Sequence, residues 1–215
     1  MGQKVNPRVL RLGATTTWSS RWFAGKNYKD LLLEDYKIRT ALMEKLKAAG
    51  VSEIEIERSI NNLKITAYVS KPGMVIGRGG TGLEDLKNYL QKEFIKKLNT
   101  KAQYKIDIKV EPIKEPNLNA YLVAKNIAEQ LVKRLPAKRV LVSTQEKVMG
   151  SGALGLRVVL GGRIGGAEIA RREKLQVGTV PLSTIRENIS YASYPALTKK
   201  GYIGVKVWIH KEEEK

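Results

Sequence analysis

Val75-Ile76-Gly77-Arg78-Gly79-Gly80-Thr81-Gly82-Leu83 is the stretch on which the reading of this chain turns. Gly77 and Gly80 bracket a G-x-x-G spacing. Glycine at such positions lets a backbone approach a ligand closely and take positive φ. The N–H groups that open the helix after it point outward, and the helix dipole favours an anion there. Arg78 adds a planar charged donor suited to phosphate. The pattern predicts a clamp on a nucleic-acid backbone, with Lys71, Gly77, Arg78, Gly79 and Gly80 as its candidate binding residues. Two other readings use the same glycines. Gly77-x-Gly79-x-x-Gly82 also spells the dinucleotide fingerprint, but Lys71 to Ile76 reads as a helical turn where that fingerprint needs a strand. The acid expected about 20 residues on, at a strand end, is missing, because Asp107 falls mid-strand. The third reading is a tight helix–helix turn that binds nothing.

The surroundings weigh these readings. Ile38, Leu42, Leu46 and Ala49 recur at helical spacing, and Gly50 stands where a C-cap belongs. The period then changes to two. Ile54 and Ile56 alternate with glutamates, and Leu63, Ile65, Ala67 and Val69 alternate with Lys64, Thr66 and Tyr68. Asn61-Asn62 between them predicts a hairpin turn. Tyr104, Ile106, Ile108 and Val110 make a third strand. After the glycines, Thr81 and Glu84 are spaced as a capping box. Leu83, Leu86, Leu90, Phe94 and Leu98 line one face of the helix, and Lys87, Lys92, Lys96 and Lys97 occupy the other. Strand, short helix, G-x-x-G, long helix and strand is the order of the RNA-binding KH module, whose loop clamps about four nucleotides. The helix and strand that precede it resemble the type II arrangement.

Outward from this block, residues 1–29 form a basic arm with Lys4, Arg8, Arg11, Arg21, Lys26 and Lys29, and no acid before Asp30. It reads as an irregular segment that orders on a partner. Its Trp18, Trp22 and Phe23 either stack on bases or anchor the arm to its own domain. Pro112 and Pro116 mark a linker over 112–116. A helix follows near Asn117, with Leu118, Leu122, Ile127, Leu131 and Leu135 as its apolar face, and Pro136 ends it. A short basic helix is expected from Ala137 to Met149, then strands at 154–160, 177–181, 188–194 and 203–209. Trp208 faces a partner or a second layer, His210 reads as a surface or edge residue, and a charged tail closes the chain at 211–215. The fold class is α+β: a basic N-terminal arm, a KH type II domain over 30–111 and a second α+β C-terminal domain over 117–210.

Composition bounds the function. The 215 residues are 42% hydrophobic and 28% charged, which is a globular chain with room for one or two domains. Thirty-nine Lys and Arg stand against 21 Asp and Glu, a net charge of +18. A polyanion relieves the self-repulsion of such an excess, so nucleic acid leads as partner, with an anionic membrane surface second. There is no cysteine and one histidine. Disulfides, thiolate metal sites and histidine-rich zinc sites are therefore excluded, and no metal or cofactor is expected. No apolar run reaches the ~18 residues of a membrane span, and Met1 to Leu12 carries no signal-peptide core. The default compartment is the cytoplasm.

Five collinear motifs carry a family resemblance over essentially the whole chain. They are Met1-Gly2-Gln3-Lys4-Val5-Asn6-Pro7 with Arg11-Leu12-Gly13, then Pro72-Gly73-Met74-Val75-Ile76-Gly77, then Gly161 to Arg171, then Gly178-Thr179-Val180-Pro181-Leu182, and Ile203 to Ile209. The chain resembles the family of the third protein of the bacterial small ribosomal subunit. The resemblance implies a structural, non-enzymatic role in the head of that subunit. It implies contacts with 16S rRNA and neighbouring head proteins, and a part in lining the channel through which mRNA enters. It places Lys138 and Arg139 on the helix that faces the entering message and helps unwind it. One turn on, where the family usually keeps a basic residue, this chain has Val142. Gly162, Gly165, Arg163, Arg171 and Arg172 read as a second segment that approaches RNA, the glycines by backbone and the arginines by neutralising phosphates. Two alternatives stay open: a free KH-type RNA-binding regulator that does not join ribosomes, and a nucleotide-dependent enzyme using the Gly77 loop.

Overall fold

The computed structural model of the chain describes residues 4–59, 62–92 and 105–212. Two compact units emerge, one of residues 18–114 and one that joins residues 1–17 to 115–215. The basic stretch expected over 1–29 is thus shared between them.

In the first unit, β1 (Ser20–Arg21), α2 (Tyr28–Lys45), β2 (Val51–Arg58), β3 (Asn62–Val69), α3 (Pro72–Ile76), α4 (Thr81–Leu90) and β4 (Lys105–Pro112) follow a short α1 (Pro7–Leu10) that belongs to the other unit. The sheet order is β1-β2-β3-β4. β2 and β3 pair antiparallel with Ile56 opposite Ile65, and β3 and β4 pair parallel with Leu63 opposite Ile106. The period-two residues face one core: Ile54, Ile56, Ile65, Ala67 and Val69 meet Ile38 and Leu42 of α2, Val75 of α3 and Leu86 and Leu90 of α4. A left-handed Gly50 turns the chain from α2 into β2, where a glycine was expected to stop the helix.

Asp35, buried on α2, fixes the segment that leads into this unit. It accepts hydrogen bonds from Trp22 Nε1 at 2.7 Å, Ser20 Oγ at 3.1 Å and Arg58 Nε at 2.7 Å. Trp22 therefore anchors its own unit and packs on Tyr28, whereas Phe23 stands 98% exposed.

The second unit contains α5 (Ala120–Val132), α6 (Ala137–Gly150), β5 (Gly155–Gly162), β6 (Arg171–Gly178), β7 (Ile189–Thr198) and β8 (Gly201–His210). All strand pairs are antiparallel in the order β6-β5-β8-β7. Ala124, Ile127 and Leu131 of α5 and Val140, Leu141 and Val148 of α6 cover Leu156, Val158, Leu160, Val205, Val207 and Ile209 on one sheet face. Residues that alternate with these line the other face.

Several expectations change. The strand placed at 177–181 runs over Arg171–Gly178, and Val180 and Pro181 lie beyond it. Arg171-Arg172-Glu173-Lys174 hides the alternation because this is an edge strand, where charge on both faces is tolerated. α5 starts at Ala120, where the Asn119 side chain accepts from Tyr121 N at 3.0 Å, and Leu118 sits in a separate 3₁₀ turn. Leu135 falls outside the helix and is 42% exposed, because the chain turns at Arg134 with φ of 63°. His210 is buried, with Nε2 at 2.8 Å from Glu187 Oε2 and Nδ1 at 3.0 Å from the Thr179 carbonyl, and is not a surface residue. Met1–Gln3, Asn61, Phe94, Lys96, Lys97, Leu98, Tyr104 and the last three tail residues lie outside the described residues.

Candidate nucleic-acid interface

The Gly77 loop joins two helices. β3 ends at Val69, α3 intervenes, and α4 begins at Thr81, so the glycines do not follow a strand as a dinucleotide fingerprint requires. Gly77, Gly79 and Gly80 have φ of 71°, 64° and 85°. Thr81 is already helical, and its hydroxyl donates to the Arg78 carbonyl at 3.1 Å; the expected capping box does not form because a left-handed Gly80 takes the cap position. Gly82 has a different task. A Cβ there would collide with the Val75 carbonyl oxygen, so its hydrogen lets α3 and α4 touch. Around Gly79 there is open space, and Lys71, Gly77, Arg78 and Gly79 are exposed. The result is a bare backbone ledge with cations beside it.

The N-terminal arm divides by burial. Arg11, expected to face RNA, is fully buried. Its Nε donates to the Glu187 carbonyl at 2.8 Å, and its other nitrogens donate to the carbonyls of Pro7, Pro181, Leu182 and Thr184 at 2.7–3.3 Å. Burial pulls this guanidinium below the usual arginine range, partly offset by the Glu187 carboxylate. Arg11 is a strut between α1 and the 179–187 loop, so two of the five sequence motifs meet at one side chain. Lys4 remains exposed. Arg157 first, then burial, Lys174 and Arg172 hold its ammonium below the ordinary lysine value. Four cations therefore gather where the arm meets the sheet. Arg8 is half-buried in the turn of α1.

Sequence reading missed the uncovered sheet face. Register places Lys174, Val159, Lys206 and Ser193 in one row across the four strands, and Arg172, Gly161, Gly204 and Pro195 in the next. A Cβ on Gly161 would meet nothing within 4 Å, so the middle of the second row, Gly161 and Gly204, is bare backbone, with Arg172 at one end and Pro195 at the other. Arg157 lies 5.3 Å from the Trp208 ring, which packs on Tyr191, so Trp208 is held within its own unit. The strand alternation of β5 and β8 was legible; which face the helices would leave uncovered was not.

The same alternation separates Arg171 from Arg172. Arg172 shares the uncovered face with Lys174, while Arg171 points to the helix side with Glu173 and the core-facing Leu175. Gly162 serves strand pairing, because a Cβ on it would lie 2.8 Å from the Tyr202 carbonyl. Gly165 is exposed with open space around it. Arg163 Nε donates to the Ala167 carbonyl at 2.8 Å. On α6, Lys138, Arg139 and Val142 are exposed on one face, while Val140 and Leu141 are buried. A cavity of about 590 Å³ brings Lys138 together with Arg163 and Gly165, which are distant in sequence.

Among the described residues, no group of three or more His, Asp or Glu is placed to hold a metal ion. No described helix is long and apolar enough to cross a membrane.

Comparison with known proteins agrees with this architecture. The KH domain family matches residues 37–118, and the family described as ribosomal protein S3, C-terminal domain, matches residues 127–209. Small ribosomal subunit protein uS3 of Desulfitobacterium hafniense is 46% identical over 213 residues, covering 99% of this chain and 94% of that protein. The uS3 proteins of Finegoldia magna and Clostridium botulinum (strain Okra) are 47% and 46% identical over 214 residues, covering 84% and 93% of their lengths.

The chain belongs to the uS3 family of small ribosomal subunit proteins, with a KH domain followed by the S3 C-terminal domain.

Proposed function

We propose, from that membership, that this chain is a structural constituent of the small ribosomal subunit. It binds 16S rRNA in the head of the subunit, contacts neighbouring head proteins and helps form the channel through which mRNA enters. The observation that carries this reading is the presence, in each unit, of exposed cations with bare backbone beside them. The Gly77–Gly80 ledge carries Lys71 and Arg78, and the uncovered C-terminal sheet face carries Arg172, Lys174 and Lys206 around Gly161. Each offers what a sugar–phosphate chain needs: positive charge and room for close approach. On α6, Lys138 and Arg139 face solvent together, a geometry suited to phosphates of a passing strand.

The test is binding of the full chain to a single-stranded segment of 16S rRNA at rising salt, with Gly79→Asp beside the wild type. Each neutralised phosphate adds about 0.7 to the logarithmic salt slope on a single strand, so affinity falls steeply. Gly79→Asp weakens binding while the fold survives, since Asp is among the residues that best tolerate positive φ and the site is open. Saturable binding of a dinucleotide that salt leaves unchanged would contradict the reading and favour an enzyme.

A further inference from the structure

We infer that the cavity between the α5–α6 turn and the two hairpin ends receives one unstacked nucleotide of single-stranded RNA. Its base would enter the apolar floor and its phosphate would meet the cationic rim. This rests on the RNA-binding reading above. The cavity of about 590 Å³ is of the size that encloses a small ring compound. Leu131, Ile164 and Ile203 give it an apolar interior, and the half-exposed Leu135 forms part of its wall. The charged side chains lining it are Arg134, Lys138, Arg163, Lys199 and Lys200, against one carboxylate, Glu173. An apolar interior ringed by cations fits a ligand that is flat and apolar at one end and anionic at the other. Three separate turns, at 134–138, 163–166 and 198–200, bound the space, which suits a single ring system better than an extended acidic peptide. A base in a duplex is not available to it; an unstacked one is.

Arg134 supplies a second, independent observation. Its φ is 63°, making it the described residue other than glycine that holds positive φ. It stands just past the end of α5, where Arg134 N donates to Leu131 O and Leu135 N donates to Gln130 O. That turn ordinarily takes glycine. Here an arginine occupies it and lines the cavity, so a conformational cost is carried at the place where a cation meets the rim.

The experiment compares full-length variants in a Gly79→Asp background, which weakens the competing glycine loop. The probes are a fluorescent uridine decamer, a decamer of the same backbone abasic at every position, and an acidic peptide. Leu135→Ser is expected to lower affinity for the intact decamer on the order of tenfold, leave the salt slope unchanged and abolish discrimination against the abasic strand. Arg134→Gly is expected to lower affinity and reduce the salt slope by about 0.7, without lowering the thermal midpoint. Equal binding of the two strands by the parent overturns the proposal, as does parental affinity in both variants. Loss of binding to an acidic peptide, with decamer binding intact, also overturns it and assigns the cavity to a protein. If the wild-type chain, with its glycine loop intact, binds no RNA at any salt, the functional reading itself has failed.

Discussion

At the scale of the residue, the same amino acid does opposite things at different depths. Arg11 and Arg134 each stand just past the end of a helix, yet Arg11 is buried under five carbonyl contacts and Arg134 is exposed in a left-handed turn. A left-handed non-glycine residue costs about 1–2 kcal/mol. Arg11 is the more consequential for stability. Arg11→Met leaves carbonyls of the 181–187 loop without their donor, and a lost charged hydrogen-bond partner costs about 1.5–3 kcal/mol. We therefore expect Arg11→Met to lower the stability of the second unit by about that amount. Hydrogen exchange should show the 179–188 loop opening first, while α2 and β2–β4 keep their protection. Unchanged exchange in that loop would refute the strut. Sequence alone put Arg11 among the RNA contacts because charge is visible in a sequence and burial of a lone cation is not. Gly79 was readable, since its open space and positive φ follow from the G-x-x-G spacing.

At the scale of the element, legibility followed periodicity. β2, β3, β4 and β8 alternate apolar and polar residues, so each was found near its observed bounds, whereas the helix read over 36–49 from Ile38, Leu42, Leu46 and Ala49 begins at Tyr28 and ends at Lys45, because its first two turns bury almost nothing and show no apolar period. β6 was displaced because an edge strand with charge on both faces has no hydrophobic alternation to read. α6 combines both cases. Its buried Val140, Leu141, Thr144 and Val148 face the sheet, and Lys138, Arg139 and Val142 share the exposed face at three- and four-residue spacing. Val142 is 48% exposed, so its apolar side chain interrupts a basic face and does not pack the core. Replacing Lys138 and Arg139 together should slow translation through a structured message more than through an unstructured one. Val142→Arg should do the reverse, with little change in thermal midpoint because the site is exposed. A translation assay on paired messages decides it; equal effects on both would mean that the helix matters only for assembly.

At the scale of the whole molecule, a net charge of +18 is distributed over two units that each have their own core. Each unit carries a share of the exposed cations. They lie on the glycine ledge, on the uncovered C-terminal sheet face, on α6 and along the arm, which suits a chain embedded among RNA segments more than one that grips a single strand. The measurement that tests this most directly is sedimentation of a cell lysate through a sucrose gradient at low and moderate salt, with this protein followed through the fractions. Our account predicts that it travels with the small subunit at both salts. A free peak at the top of the gradient at both salts would contradict a structural place in the subunit and leave a free RNA-binding regulator in its stead.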